Sequence, residues 1–459
     1  MNKNIKETYK NVYFIGIGGV SMSGLAEILN GMGIAVSGTD IKPSAATKRL
    51  ENLGIHVNYG HKGENIKDGT DLVVYTAAVK EDNPEVEAAR EKGIETVERA
   101  DLLGAIMSNY SHSIAVSGTH GKTTTTSMIS EILLAADADP TITVGGTLST
   151  IGGNIKVGKS GYFVAEACEY HNSFLKFNPY IGIILNVEAD HLDFFKDIDE
   201  IKESFKKFAL NVPKEGRVII NHEAYGVEYI TSGLNSDVIT FGLTSGADWY
   251  AENIVHEPDG TNSFDAVFKG KNSGRISLKI PGEHNILNAL AACAASYSLG
   301  ISMENIIKGL DSYTGVNRRF QRKGEFNGVK VIDDYAHHPS EIKATLAAAK
   351  NVEHNKIWCV FQPHTYTRAK ALFEEFGKAF SDADKIIVAD IYAAREKDTG
   401  LINAEDIAQK IRSNDKDAVY LGNFDSIVDY IKSTACPGDL LITMGAGDVY
   451  LVGERLVSQ

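Results

Sequence analysis

The chain has too few cysteines, too little positive charge and too short apolar runs for several whole classes of protein. Its four cysteines (Cys168, Cys293, Cys359 and Cys436) are scattered, with no C-x-x-C pair. That argues against a disulfide frame or a zinc site, and free thiols fit a reducing compartment. Lys and Arg number 46 against 60 Asp and Glu, a formal net charge of -14. A broad nucleic-acid footprint needs a basic face, so no nucleic-acid partner is expected. A small anionic ligand stays possible, because backbone N–H groups and a few cations reverse the field locally. No run of about 18 consecutive apolar residues occurs, and no membrane span is expected. The opening "MNKNIKETYKN" leads into a predicted strand with no apolar signal core, so the expected location is the cytoplasm. Short repeats and low-complexity tracts are missing as well.

What the chain has is alternation. At 459 residues it exceeds one ordinary core, and several domains are expected. "VYFIGI" (12–17), "IAVSG" (34–38) and "LVVYT" (72–76) read as buried parallel strands, separated by helical stretches that end in glycine. A second series begins with "SIAVSG" (113–118), "YFVAEA" (162–167) and "IGIILNV" (181–187). A third holds "VKVIDDYA" (329–336), "KIWCVFQ" (356–362), "DKIIVADI" (384–391) and "DLLITMGAG" (439–447). This pattern predicts three α/β units, at 1–108, 109–316 and 317–459. Turn-punctuated alternation from about 237 to 281 predicts a β-rich insertion or edge subsheet in the central unit.

Two strand-to-helix turns are built for phosphate. In "YFIGIGGVSMSG", Gly16, Gly18 and Gly19 let the backbone approach a diphosphate at a helix N-terminus. The third glycine of a dinucleotide fingerprint would stand at position 21, which is Ser21, so that motif is broken. Asp40, ending the next strand, is placed for a ribose or base hydroxyl. A plain strand–turn–helix is the lesser alternative on local grounds. "SGTHGKTTTT" (117–126) carries the G-K-[ST] end of a phosphate loop between an apolar strand and a helix. Val116 stands where the usual first glycine belongs, but Gly118 still gives the tight turn. Lys122 would reach the β- and γ-phosphates, and the Thr123 hydroxyl a magnesium ion.

Magnesium wants further ligands from strand ends. "FVAEACE" offers Glu166 and Glu169, and "NVEADHLD" offers Asp190, His191 and Asp193. "DDYAHHP" (333–339) is not a zinc signature, for no Cys or second His pair stands at ligand spacing. "FQPHTYTR" (361–368) places His364 and Arg368 past another strand, and an arginine there suits a carboxylate. The alternative reading of both segments is a solvated strand-end loop.

Taken together, "FIGIGGVSMSGLAEIL", "GTHGKTTTT", "NVEADHLD", "GEHNILNALAA", "RRFQ", "DDYAHHPSEI", "FQPHTYTR", "DIYAARE" and "GAGDVYLVGE" resemble, in order and nearly end to end, the Mur ligases of peptidoglycan synthesis. The family's own loop reads GT-x-GKT and begins at Gly118. The resemblance implies an α/β protein of three domains: N-terminal Rossmann-like, central P-loop ATPase-like and C-terminal Rossmann-like. It implies an ATP- and Mg²⁺-dependent ligase that joins L-alanine to the lactyl carboxylate of UDP-N-acetylmuramate, as a monomer or weak homodimer.

The resemblance also assigns residues. Gly118, Thr119, His120, Gly121, Lys122, Thr123 and Thr124 wrap the phosphates, and Thr123, Glu166 and His191 hold metal. Asn285 and Asn288 lie near the adenine, Arg319 on the phosphates and Asp334 at the ribose. Gly16, Gly18, Gly19, Ser21, Asp40 and Thr76 face the UDP-sugar. Tyr335, His337, His364 and Arg368 form the alanine side. The implied catalytic set is Lys122, Glu166, His191, Arg319, Asp334 and His337. Two departures stand out: Thr365 where relatives often carry Arg, and "EACEY" for the commoner "EADES", which touches Cys168 and Tyr170. The rival readings are a sister ligase that attaches a preformed peptide, a non-catalytic nucleotide-gated binder, and a dinucleotide oxidoreductase.

Overall fold

A computed structural model describes residues 4–458 except 77–78, 81, 193, 258–259, 395 and 399; Asp193 and Arg395 of the motifs above therefore lie outside the described residues. The β-branched, apolar strand segments assemble into three sheets. The first has the order His56–Tyr59, Ala35–Asp40, Asn11–Ile15, Leu72–Tyr75, Glu95–Glu98, parallel throughout. Parallel strands need helices on their faces. The helices Val20–Gly31, Ala45–Asn52 and Pro84–Glu91 are among those that connect them.

The second sheet has ten strands. Its centre is His112–Ser117, flanked by Ile181–Ile184 and Tyr162–Glu166, all parallel. Of the two readings of 237–281 the edge subsheet is the one found, continuous with the ten-stranded sheet. Asp237–Gly242 continues the sheet in parallel from Arg217–Asn221, Trp249–His256 follows in parallel, and Asn262–Phe268 and Lys271–Leu278 extend it antiparallel to one edge. At the other edge Thr141–Leu148 pairs antiparallel with Gly153–Lys156. One face of this sheet packs on the helices Lys122–Ala135 and His284–Ser298 around Ile114, Val116, Ile129, Ile132 and Leu290, all fully buried.

The third sheet runs Gln321–Phe326, Val329–Asp334, Leu440–Met444, Ile357–Phe361, Lys385–Ala389, Ala418–Gly422. Only its first pair is antiparallel. Ligands of open α/β sheets bind outside the carboxyl ends of the strands. The central and third sheets turn those ends toward each other, because Thr119 to Lys122 and Tyr335, His337 and Glu341 line one shared cleft. Among the described residues no helix is long and apolar enough to cross a membrane.

Candidate active site

The site starts where the buried strand His112–Ser117 ends. Gly118 (φ +139°) and Gly121 (φ +84°) take backbone conformations that side chains resist, and the helix begins at Lys122. A Cβ on Gly121 would also lie 2.6 Å from Asn288 Oδ1. The Asn186 side chain pins the turn, accepting from His120 N at 2.8 Å and donating to His120 O at 3.1 Å. Lys122 Nζ donates to Thr119 O (3.1 Å) and to Glu169 Oε2 (3.0 Å) and Oε1 (3.2 Å). Burial alone would lower the Lys122 pKa, but the carboxylate of Glu169, with Cys168 and Glu166, raises it above its ordinary value.

Thr123, Glu166 and His191 line one cleft of about 590 Å³. Glu166 ends its strand and accepts from Gly145 N at 2.5 Å; a Cβ on Gly145 would come within 2.8 Å of its Oε1. His191 sits in the left-handed region (φ 54°), stacks on Tyr170 with ring centres 4.4 Å apart, and keeps Nε2 3.6 Å from Asp190 and 3.7 Å from Glu169. Burial is the main reason its pKa is lowered, and a neutral imidazole offers a lone pair. A hydroxyl, a carboxylate and a neutral imidazole on one cleft form a donor set suited to a divalent cation.

The third sheet supplies the opposite wall. Asp334 accepts from Phe320 N and Ala336 N, both at 2.7 Å, and burial pushes its pKa up to about 6. The two arginines before it are held by aromatic faces. The Arg318 guanidinium lies between Tyr335 (5.0 Å) and Tyr450 (4.7 Å), and that of Arg319 lies 5.2 Å from the Tyr335 ring. Tyr335, His337 and Arg368 line the cleft, with Arg368 3.6 Å from Asp190. His364 stands outside that lining, its ring 5.9 Å from His337 and stacked on Tyr392.

A second cavity of about 290 Å³ adjoins the first and is lined by His120, Gly121, Thr124, Asn285, Asn288, Arg319 and Asp334. The asparagines form a chain. Asn285 Nδ2 donates to Pro281 O (2.6 Å), Asn288 Nδ2 to Asn285 Oδ1 (3.0 Å), and Thr125 Oγ1 to Asn288 Oδ1 (3.2 Å). Phe241, Ile280 and Tyr313 complete an apolar wall that no motif singled out, and His284, inside "GEHNILNALAA" but given no role there, joins it. Burial pushes the His284 pKa down to about 4, so the ring is neutral.

The N-terminal glycine loop stands apart from both cavities. Of that segment only Val20 lines the larger one, and Gly16, Gly18, Gly19, Ser21, Asp40 and Thr76 line neither. Asp40 Oδ2 accepts from Gly18 N at 2.8 Å, and Ser21 Oγ accepts from Arg99 at 3.0 Å. Gly118 also lines neither cavity; it lies against Leu185.

Sequence reading passed over Glu188, Ser340 and Glu341. His120 Nδ1 is 3.2 Å from Glu341 Oε1, and its Nε2 is 2.7 Å from Ser340 Oγ and 3.4 Å from Glu188 Oε2. Burial would lower the His120 pKa, but the two carboxylates raise it to about 9. His120, Glu188 and His338 thus form a three-residue group of metal-ligand type, assembled from two domains and invisible to spacing along the chain. Hydrogen bonds to Ser340 already engage both histidines.

Comparison with known proteins gives a consistent result. The model of the Mur ligase catalytic domain matches residues 11–111, that of the Mur ligase middle domain residues 116–296, and that of the Mur ligase glutamate ligase domain residues 318–447. A UDP-N-acetylmuramate–L-alanine ligase of Acetivibrio thermocellus is 58% identical over 98% of this chain and 96% of its own. One from Caldanaerobacter subterraneus is 51% identical over 99% and 98%. Among solved structures, a UDP-N-acetylmuramate–alanine ligase of Thermotoga maritima superposes with a TM-score of 0.80 at 30% identity, covering 98% of each chain. A murein peptide ligase of Psychrobacter arcticus gives 0.70 at 26% identity, again over 98% of each.

Proposed function

The chain belongs to the Mur ligase family, and from that premise we propose the reaction and its residues: ATP-dependent joining of L-alanine to the lactyl carboxylate of UDP-N-acetylmuramate, giving ADP and phosphate. The observation that carries this reading is end-to-end identity of 58% and 51% to two ligases of that name, against 26% to a murein peptide ligase. The experiment that tests it is phosphate release with L-alanine and a short peptide in competition. Alanine saturates the enzyme if the reading holds, and preference for the peptide overturns it.

The chemistry must overcome a poor leaving group. A carboxylate does not condense with an amine in neutral water, so its oxygen first attacks the γ-phosphorus of ATP and forms an acyl phosphate. The amine then attacks the acyl carbon, and phosphate departs. Positioning and electrostatics supply most of the rate in such transfers. In our reading Gly118 to Thr124 cradle the phosphates, while Lys122 and Arg319 offset their charge. Asp334 holds the ribose, and Asn285 and Asn288 face the adenine within the smaller cavity. The glycine loop from Gly16 to Ser21, with Asp40 and Thr76, takes the UDP part. Tyr335, His337 and Arg368 surround alanine, with His364 beside His337.

A magnesium ion held by Thr123, Glu166 and His191 would supply Lewis-acid neutralisation of the triphosphate. Their common cleft, the room left by Gly145 and the neutral His191 support that assignment. The units 1–108, 109–316 and 317–459 then act as UDP-sugar, ATP and closing domains. In our reading the enzyme acts as a monomer or weak homodimer in the cytoplasm.

A further inference from the structure

The two cavities share four lining residues: His120, Gly121, Arg319 and Glu341. Of these Glu341 alone has no role in the reading above. It is the third residue of the helix Pro339–Ala349 and closes a capping box with His338. Its two oxygens face different partners. Oε1 lies 3.2 Å from His120 Nδ1, on the phosphate loop, and 3.8 Å from Arg319. Oε2 accepts from His337 N (3.0 Å) and His338 N (3.2 Å) and lies 3.3 Å from His337 Nδ1.

The groups around His337 Nδ1 set a tautomer. His337 Nδ1 also lies 2.9 Å from Tyr335 O, a carbonyl that can only accept. The ring hydrogen therefore sits on Nδ1, bonded to that carbonyl with the Glu341 charge beside it, and Nε2 carries the lone pair. A base oriented by a third group in this way is the general pattern of proton-transfer sites.

We propose that Glu341 is the positioning residue that orients His337, so that Nε2 takes the proton from alanine's ammonium when the phosphate loop is docked through His120. The step balances. The ammonium gives one proton to His337 Nε2, and the freed lone pair forms the C–N bond as the acyl C–O bond to phosphate breaks. The amine's second proton leaves with the phosphate as hydrogen phosphate, and His337 returns its proton to water. Several groups face His337: Glu341, Asp190 and the Tyr335 carbonyl favour its protonated form, Arg368 and above all burial disfavour it, and the His364 ring lies 5.9 Å away. The net direction is downward, which keeps the ring neutral and ready to accept at neutral pH.

This inference rests on the ligase reading, and hydroxylamine separates the two. Hydroxylamine is largely unprotonated at neutral pH and captures an acyl phosphate without help from a base. The wild type, His337→Asn and Glu341→Gln are assayed with UDP-N-acetylmuramate, ATP and either alanine or hydroxylamine. The ratio of alanine to hydroxylamine turnover is expected to fall roughly 10²- to 10⁴-fold in His337→Asn, the usual worth of a general base. In Glu341→Gln it falls less, and the acid limb of kcat/KM for alanine moves to lower pH because a nearby negative charge is gone. An unchanged ratio in His337→Asn, or an unmoved acid limb in Glu341→Gln, overturns the proposal while the ligase reading stands. Absence of hydroxamate in the wild type overturns the ligase reading itself.

Discussion

Lys122 Nζ and Glu169 Oε2 lie 3.0 Å apart, an ion pair buried at the foot of the phosphate loop. Removing one member of such a pair leaves the other charge stranded, at a cost of about 3–5 kcal/mol. Lys122→Met is therefore expected to lower the melting temperature and to cut ADP release by roughly 10²- to 10³-fold or more. Lys122→Met with Glu169→Gln should recover the melting temperature and no activity. Thermal unfolding and ADP release, measured on both variants, check this. A double variant as unstable as the single one would show that Glu169 is not the stranded charge.

The interdomain contact of His120 should be visible in a pH profile of stability. Its pKa rises from 6.5 to about 9 in the folded protein. A raised pKa means stabilisation that is complete below 6.5 and is lost as pH climbs through about 9. The wild-type melting temperature is expected to decline across that window, and His120→Asn to flatten the decline. Identical profiles for the two proteins would place the titrating group elsewhere.

Gly121→Ala should fail on two counts. The added Cβ meets a backbone at φ +84° and an Asn288 oxygen 2.6 Å away. The left-handed conformation alone costs roughly 1–2 kcal/mol for an L-residue. A lower melting temperature and a weaker ATP affinity by titration calorimetry are the expected outcome. Unchanged ATP affinity would mean that the loop's shape does not govern nucleotide binding.

Thr365 separates stability from function. Its φ of 61° with ψ of 145° lies in a region nearly reserved for glycine, and such strain costs on the order of 1–3 kcal/mol. Its hydroxyl accepts a long 3.4 Å hydrogen bond from Arg368 N. Exchanging a capping threonine for glycine loses only about a few tenths of a kcal/mol, and glycine's extra chain entropy costs roughly 0.5–1 kcal/mol. Relief of strain covers both, so Thr365→Gly should melt at or above the wild-type temperature. The KM for alanine should rise, because Arg368 is held less firmly. A lower melting temperature would contradict the balance of these terms.

How much of this was legible in the sequence depended on the range of the interaction. The strands around Ile114, Ile183 and Leu441 announced themselves because a sheet covered on both faces needs continuous apolar runs. Lys122 and Thr123 could be placed because a strand, a glycine turn and a helix follow one another directly. The edge nature of 237–281 was half visible: alternation gave strands, but only pairing shows that Asp237–Gly242 continues the central sheet. Glu341 was hidden within its own motif. A glutamate at the third position of a helix reads as a capping residue, and nothing local says that a phosphate-loop histidine from another domain meets its other oxygen. Phe241 and Tyr313 were missed for a related reason, since a buried apolar wall has no signature beyond being buried.

The central claim is that the muramyl carboxylate gives one of its oxygens to phosphorus before it meets the amine. UDP-N-acetylmuramate labelled with ¹⁸O in the lactyl carboxylate, turned over with ATP and L-alanine, tests this most directly by mass analysis of the products. Inorganic phosphate carrying one ¹⁸O, with unlabelled ADP, is the predicted result. Unlabelled phosphate, or the heavy oxygen recovered in AMP, would contradict it.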